Sequence, residues 1–121
     1  MNKTYHLSTC DTCRRILDET GVVANGFALQ CIKTDKMTPA QLDEMRKLAG
    51  SYEALFSRRS MKFRPMGLAD KNLTEEDYRR LILEEYTFLK RPVTIAGSRI
   101  FIGNDKKTVA ALKEFLLTKS K

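Results

Sequence analysis

Short apolar runs alternate with amphipathic stretches along the chain. Residues 4–7 predict a strand, and residues 14–19 predict a helix that Gly21 ends in the usual C-terminal glycine position. Residues 27–32 alternate apolar and polar side chains in a way that predicts a second strand. Together these runs indicate a β-α-β unit at the start of the chain.

Two capping signals predict helices in the middle of the chain. Thr38-Pro39-Ala40-Gln41 reads as a capping box with proline at the first helical position, and it predicts a helix over about 39–49 that Gly50 ends. Thr74 precedes three acidic residues that suit the positive end of a helix dipole, so a further helix begins there. We place four apolar residues on one face of this helix: Tyr78, Leu81, Ile82 and Tyr86.

The last third of the chain predicts a hairpin and a final helix. Residues 93–95 and 99–102 flank Ala96-Gly97-Ser98, which is typical of a hairpin turn, and Gly103-Asn104-Asp105 precedes the helix. The order is β-α-β, helices, β-β-α. We find no repeat, linker or low-complexity segment. We therefore expect one α/β domain over residues 1–121, with a helical insertion at about 37–88 packed on its sheet.

The amino-acid composition is that of a globular domain and argues against a membrane protein or a secreted, disulfide-bonded one. Of the 121 residues, 42% are hydrophobic and 31% are charged, which is typical of a globular domain. No apolar run approaches the roughly 20 residues that span a bilayer, so we expect a cytoplasmic protein without a membrane partner. Three cysteines are a small and odd number, whereas a secreted domain of this size usually carries an even number of cysteines paired in disulfides. In a reducing compartment such thiols are catalytic, metal-binding or buried.

The net charge of +7 allows nucleic acid, an acidic protein surface or a small anion as partner. The basic residues are spread along the chain without a run of five or more, and aromatic residues do not alternate with them. We therefore do not expect direct binding of nucleic acid.

The strongest chemical signal is a Cys-x-x-Cys formed by Cys10 and Cys13, at the point where a strand gives way to a helix. Backbone N–H groups at a helix start favour the thiolate form of a cysteine there, which makes Cys10 the candidate nucleophile. Cys13 lies one helical turn away on nearly the same face, so it is the candidate resolving thiol. We count Thr12, between the two cysteines, as a candidate substrate-binding residue.

Two other interpretations of the cysteines stay open. The pair is either buried and inert, or half of a zinc site, which needs two further ligands. His6 is the only histidine and Cys31 the only other cysteine, so zinc is the weaker alternative. We expect Cys31 to be a buried structural thiol in its strand, and His6 to be a packing residue rather than a base.

Three arginines near these elements are candidates for binding an anion. Arg58, Arg59 and Arg91 together would form a planar cradle for an oxyanion or a carboxylate, although each is equally well explained as solvated surface charge. We interpret the basic stretch 57–64 as a loop or short helix beside the site. Pro92 follows Arg91 before a strand, where an X-Pro bond is a candidate for the cis isomer.

Four motifs together resemble the ArsC/Spx family over essentially the whole chain. They are the Cys-x-x-Cys after the first strand, Ser-Arg-Arg-Ser at 57–60, Leu-Lys-Arg-Pro-Val-Thr-Ile at 89–95 and Arg-Ile-Phe-Ile-Gly-Asn-Asp at 99–105. The resemblance implies a thioredoxin-like fold with a helical insertion and a mixed four-stranded sheet. It also implies Cys10 as nucleophile, Arg59 and Arg91 as oxyanion-binding residues, and Pro92 as a cis-proline.

The chain departs from the glutaredoxin-dependent arsenate reductases that it resembles. Those enzymes carry one cysteine in the loop and a third arginine in the last strand, where this chain has Ile102, which argues against arsenate as substrate. The Cys-x-x-Cys looks instead like the Spx branch, whose members use the pair as a redox switch and bind the α subunit of RNA polymerase.

Three hypotheses about function follow. In the first, the chain is a thiol-dependent oxidoreductase in which Cys10 attacks an oxyanion or a disulfide. Cys13 or a small thiol such as glutathione then resolves the adduct. No tightly bound cofactor is expected, and the reducing partner is glutathione, glutaredoxin or thioredoxin. In the second, the chain is an Spx-like redox-switch regulator that binds RNA polymerase, and in the third it is a plain interaction domain with unreactive thiols.

Overall fold

Four strands form one mixed sheet in the computed structural model, which describes residues 2–119. They are β1 (Asn2–His6), β2 (Ala28–Cys31), β3 (Val93–Ala96) and β4 (Arg99–Ile102), in the spatial order β2-β1-β3-β4. Strand β1 pairs in parallel with β2 and antiparallel with β3, and β3 pairs antiparallel with β4. The predicted α/β class with a mixed four-stranded sheet is thus confirmed.

The strand ends differ from the predicted ones where the backbone turns. Strand β1 stops at His6, because Leu7 already belongs to a turn in which its carbonyl accepts the N–H of Cys10 at 3.0 Å. Strand β2 is shorter at both ends than the predicted 27–32. Strand β3 includes Ala96, so the hairpin turn consists of Gly97 and Ser98.

Four α-helices accompany the sheet: α1 (Asp11–Thr20), α2 (Pro39–Ala49), α3 (Glu75–Glu84) and α4 (Lys106–Lys119). Helices α1 and α4 contact each other, and α4 contacts β4. Asp105 caps α4, since its carboxylate accepts the backbone N–H of Thr108 at 3.3 Å. A buried cluster joins these elements: Leu17, Val22, Phe27, Ala96, Phe101, Leu112 and Leu116.

The described residues pack as two compact units. One unit combines the chain up to Asp35 with the chain from Arg91 onward, and it holds the sheet, α1 and α4. The other unit is Lys36–Lys90, and it holds α2 and α3. A single domain with a helical insertion at about 37–88 stays a prediction.

The helical unit confirms the two capping signals and corrects one helix end. Thr38 and Thr74 each accept a backbone N–H of the first turn and complete a capping box. Tyr86, placed on the face of α3 from its spacing, lies beyond the helix, which ends at Glu84. Glu85 adopts extended backbone angles and its carboxylate accepts the N–H of Thr87 at 3.2 Å, so a new short turn begins there.

An aromatic cluster fills the interior of the same unit. Phe56 stacks on Phe88 with ring centroids 5.1 Å apart, and Tyr78 and Phe63 pack on it at 4.9 and 6.1 Å. Edge and face contacts of this kind add to the free energy gained by burying the rings. The basic stretch 57–64 leaves this cluster as a series of turns. Within residues 2–119, the helices are too short or too polar to cross a membrane.

Candidate active site around Cys10

Cys10 lies between the turn that follows β1 and the first residue of α1. It is the N-cap of α1, and its sulfur accepts the backbone N–H of Cys13 with Sγ and N 3.3 Å apart. Its carbonyl accepts the N–H of Arg14, the usual first bond of the helix. The side chain is half-buried. A cysteine in this position receives a hydrogen bond from the helix start while the residue stays only partly buried.

Cys13 lies one turn further along α1 and is fully buried. Burial, followed by the hydrogen bond and the negative charge of Cys10, raises the pKa of its thiol to about 12. The positive charge of Arg91 acts in the opposite direction, but burial outweighs it. At neutral pH the Cys13 side chain is therefore a neutral thiol beside Cys10.

Arg91 and Pro92 precede β3 in the same unit. The peptide bond between them is cis. Pro92 is buried and its carbonyl accepts the N–H of Gly103 at 2.9 Å, which ties the start of β3 to the end of β4. The positive charge of Arg91 lowers the pKa of the Cys13 thiol, by less than burial and Cys10 raise it.

Two further residues lie in the first turn of α1. Thr12 is its second residue and is half-buried, and its role in substrate binding stays a prediction. Asp11 is fully exposed and lies 3.8 Å from the guanidinium of Arg14. An exposed pair at this distance contributes little to stability. Because its side chain is fully exposed, Asp11 faces solvent rather than the Cys13 thiol.

The two candidate arginines in the helical unit, Arg58 and Arg59, differ in their surroundings. Arg58 donates to the Glu53 carboxylate at 3.1 Å and to the Tyr78 hydroxyl at 2.8 Å, so its guanidinium already has partners inside that unit. Arg59 is exposed, and its backbone N–H donates to the Ser57 hydroxyl at 3.3 Å. A role for Arg59 in oxyanion binding stays a prediction.

Cys31 corrects one expectation from the sequence, because its thiol is half-buried rather than buried. Its sulfur accepts the backbone N–H of Ser8 at 3.4 Å and lies 3.3 Å from the Ser8 hydroxyl. The hydroxyl of Ser8 is the largest of the interactions that lower the pKa of this thiol to about 6, and backbone N–H groups add to it. The predicted β-α-β unit implied that the carboxyl ends of two parallel strands meet at one edge, but it did not indicate that Ser8 would contact Cys31 there.

His6 lies opposite Cys31 in the register of β1 and β2. Burial lowers the pKa of its imidazole, and its Nδ1 is buried without a hydrogen-bond partner among the described residues. A neutral imidazole cannot stabilise a nearby thiolate by charge. Across residues 2–119, no three side chains of the metal-binding types come close enough together to hold a metal ion.

Solved structures resemble this one over nearly the whole chain. An arsenate reductase from Vibrio cholerae matches with a TM-score of 0.72 at 18% identity, over 92% of this chain and 96% of that one. A provisionally assigned arsenate reductase from Yersinia pestis matches with a TM-score of 0.77 at 16% identity, over 92% and 99%. An arsenate reductase related protein from Brucella melitensis gives 0.69 at 21%, over 91% and 92%. These likenesses confirm the thioredoxin-like fold.

Sequence comparison gives the family. No curated protein matches the chain significantly. The model of the ArsC family matches residues 5–112, which hold Cys10, Cys13 and Cys31 as well as the cis-proline segment. This chain therefore belongs to the ArsC family.

Proposed function

We propose that this protein is a thiol-dependent oxidoreductase that uses Cys10 as its nucleophile and acts on an oxyanion or a disulfide. The observation that carries the proposal is the position of Cys10, a half-buried residue that caps α1 and whose sulfur accepts the N–H of Cys13 at 3.3 Å. Negative charge on that sulfur is stabilised by the donor and by the helix start. Membership of the ArsC family supports the same chemistry.

With a disulfide R–S–S–R′ as substrate, the reaction is two successive thiol–disulfide exchanges. The Cys10 thiolate attacks one sulfur, forms the mixed disulfide Cys10–S–S–R and expels R′–S⁻. Cys13 then loses its proton and attacks the Cys10 sulfur, forms the Cys10–Cys13 disulfide and expels R–S⁻. Two molecules of an external thiol such as glutathione reduce this disulfide and are themselves oxidised to a disulfide.

The charge of Cys10 controls when Cys13 can react. While Cys10 is a thiolate, its hydrogen bond and its charge help to keep the pKa of Cys13 high. In the mixed disulfide the Cys10 sulfur is neutral, so both contributions are lost and the pKa of Cys13 falls toward that of a merely buried thiol. The attacking group is thereby activated after the first exchange and not before it.

Arg91 and Arg59 are the proposed partners of negative charge. Arg91 already affects the electrostatics of Cys13, and its guanidinium would stabilise the thiolate or oxyanion that develops during the exchange. Arg59 is an exposed cation in the Ser-Arg-Arg-Ser segment, and its contribution rests on the family resemblance.

The proposal is tested by thiol-dependent turnover. Purified protein is assayed with arsenate in the presence of glutathione and glutaredoxin. It is assayed with hydroxyethyl disulfide in the presence of glutathione alone, because glutaredoxin would itself reduce that disulfide. We expect turnover with at least one substrate class, its loss in Cys10→Ser, and its retention in Glu19→Gln, an exposed position on α1. Turnover that survives in Cys10→Ser, or its absence from the unmutated protein with every substrate, would falsify the proposal.

A redox-switch regulator of the Spx type is the second candidate. It is favoured by the adjacency of Cys10 and Cys13, because a disulfide between them would change the first turn of α1. In that case the oxidised protein accumulates without turnover, and purified α subunit of RNA polymerase is captured in one redox state only. Equal capture by the reduced, oxidised and Cys10→Ser proteins would exclude a switch.

A further inference from the structure

The topology of the sheet brings a third thiol to the turn that carries Cys10. Strands β1 and β2 are parallel neighbours, so the residues at their carboxyl ends meet at one edge of the sheet. Ser8 follows β1, and Cys31 is the last residue of β2. Contact between them is direct, since the Cys31 sulfur lies 3.4 Å from the Ser8 nitrogen and 3.3 Å from its hydroxyl.

Cys10 belongs to the same turn as Ser8. The N–H of Cys10 donates to the Leu7 carbonyl at 3.0 Å, which closes a four-residue turn with Ser8 and Thr9 as its exposed middle residues. Two residues of chain span at most about 7 Å, even when they are fully extended. The Cys10 and Cys31 sulfurs are therefore separated by one exposed turn, and both side chains are half-buried.

From this juxtaposition we propose that Cys31 is a second resolving thiol, which attacks the Cys10 sulfur of the mixed disulfide and forms a Cys10–Cys31 disulfide. This inference rests on the proposed function, because it needs Cys10 to form the mixed disulfide first. The Cys31 thiolate supplies the electron pair for the new S–S bond. The bond between Cys10 and the substrate sulfur breaks, and R–S⁻ leaves and takes up a proton.

The chemical states of the two candidate resolving thiols favour a role for Cys31. Its pKa of about 6 makes it a thiolate at neutral pH, whereas Cys13 is fully buried, and burial keeps the pKa of its thiol raised even when the charge of Cys10 is lost. Exchange requires the thiolate, and it is fast when the pKa of the attacking thiol lies near the ambient pH. Cys31 needs no proton removal, and its cost is the opening of the turn between Leu7 and Cys10, which breaks the hydrogen bonds to Ser8.

The fragments of a tryptic digest separate the two disulfides by mass. Cleavage after Lys3 and Arg14 leaves Cys10 and Cys13 together in fragment 4–14, and cleavage after Arg15 and Lys33 leaves Cys31 alone in fragment 16–33. A Cys10–Cys13 disulfide is internal to the first fragment. A Cys10–Cys31 disulfide joins the two fragments.

The experiment treats the full chain with oxidised glutathione at pH 7, blocks free thiols with N-ethylmaleimide and analyses the unreduced digest by mass spectrometry. We expect joined fragments in the unmutated protein. In Cys13→Ala they should be the main product, as glutathione leaves Cys10. In Cys13→Ala combined with Cys31→Ser, glutathione should stay on Cys10. Serine keeps a hydroxyl beside Ser8, and circular dichroism checks that both variants are folded.

Two failures are distinguishable. Glutathione that stays on Cys10 in Cys13→Ala to the same extent as in the double variant overturns the role of Cys31, while the proposed function stands. A Cys10 that takes up no glutathione in any of these proteins overturns both, because the first exchange then does not occur.

Discussion

The backbone N–H of Cys13 donates to the sulfur of Cys10 at 3.3 Å, while the Cys13 side chain is fully buried. Cys13 thus donates a hydrogen bond to the proposed nucleophile through its backbone and contributes a protonated thiol through its side chain. This division follows from the capping geometry, in which the helix start faces the sulfur of Cys10 and the next turn faces the interior. Because Cys13 is fully buried and Cys31 is only half-buried, their thiols should also differ in reactivity toward reagents in solution.

We expect alkylation of the native protein to discriminate between Cys13 and Cys31. Iodoacetamide reacts with accessible thiolates. At pH 7 it should therefore modify Cys31, which is half-buried with a lowered pKa, at least about 100-fold faster than Cys13, which is fully buried with a raised pKa. Mass spectrometry with fragmentation assigns the modified residue. In guanidinium chloride both cysteines should react at similar rates, which serves as the control. Rapid labelling of Cys13 in the folded protein would contradict its burial.

The Ser8 hydroxyl should set the pH dependence of Cys31. With Cys10 and Cys13 both replaced by alanine, the alkylation rate of Cys31 should rise with pH to half its maximum near pH 6. Ser8→Ala removes a hydrogen bond to the thiolate, and a bond to a charged group of about 1.5–3 kcal/mol corresponds to an upward shift of roughly 1–2 pH units. Thr9→Ala, at the exposed neighbour, is the control and should leave the midpoint in place.

The sequence alone predicted the part of this site that depends on local signals. Cys10 and Cys13 follow a strand and open a helix, and these signals lie within a few residues of one another. Cys31 was misjudged as a buried thiol because its surroundings come from Ser8, 23 residues earlier in the chain. No local pattern reports which turn lies beside the end of an edge strand.

A contact between residues distant in the sequence also explains why the end of α3 was not predicted. The spacing of Tyr78, Leu81, Ile82 and Tyr86 fits one helical face, but the helix ends at Glu84. The chain turns there so that Phe88 can stack on Phe56, a partner 32 residues away, with ring centroids 5.1 Å apart. A contact between distant aromatic rings outweighed the local helical periodicity.

Substitution of Arg58 should mainly change the stability of the protein, whereas substitution of Arg59 should mainly change its activity. Arg58→Ala removes an exposed ion pair with Glu53 and a partly buried hydrogen bond to the Tyr78 hydroxyl, so we expect the free energy of unfolding to fall by about 1–2 kcal/mol with little change in turnover. Arg59→Ala should leave stability unchanged. It should lower kcat/KM by roughly 10–100-fold, the effect of losing one hydrogen bond between charged groups.

The measurements are urea unfolding and steady-state kinetics of both variants beside the unmutated protein. Arg59→Lys should restore activity only in part, because lysine lacks the planar two-pronged donor set of arginine. Full activity of Arg59→Ala would remove this residue from the proposed site and leave the proposal for Cys10 intact.

The helical unit should lose stability in acid through Asp43. Its carboxylate accepts the Tyr52 hydroxyl at 2.6 Å and two nitrogens of Arg79 at 2.9 and 3.3 Å. The hydrogen bonds from Arg79 and then Tyr52 lower the pKa of Asp43 from 3.8 to about 2. Because the folded state holds the charged form more tightly than the unfolded state, this stabilisation is present above pH 4 and is lost as the pH falls toward 2.

Asp43→Asn should therefore lower Tm at pH 7 by no more than about 5 °C, since both side chains are about 40% exposed. The difference in Tm between this variant and the unmutated protein should shrink between pH 4 and pH 2, where Asp43 itself becomes protonated. Asp70→Asn, an exposed carboxylate in the same unit, is the matched control and should show no such convergence. A difference that stays constant down to pH 2 would mean that the charge of Asp43 does not support the link between α2 and α3.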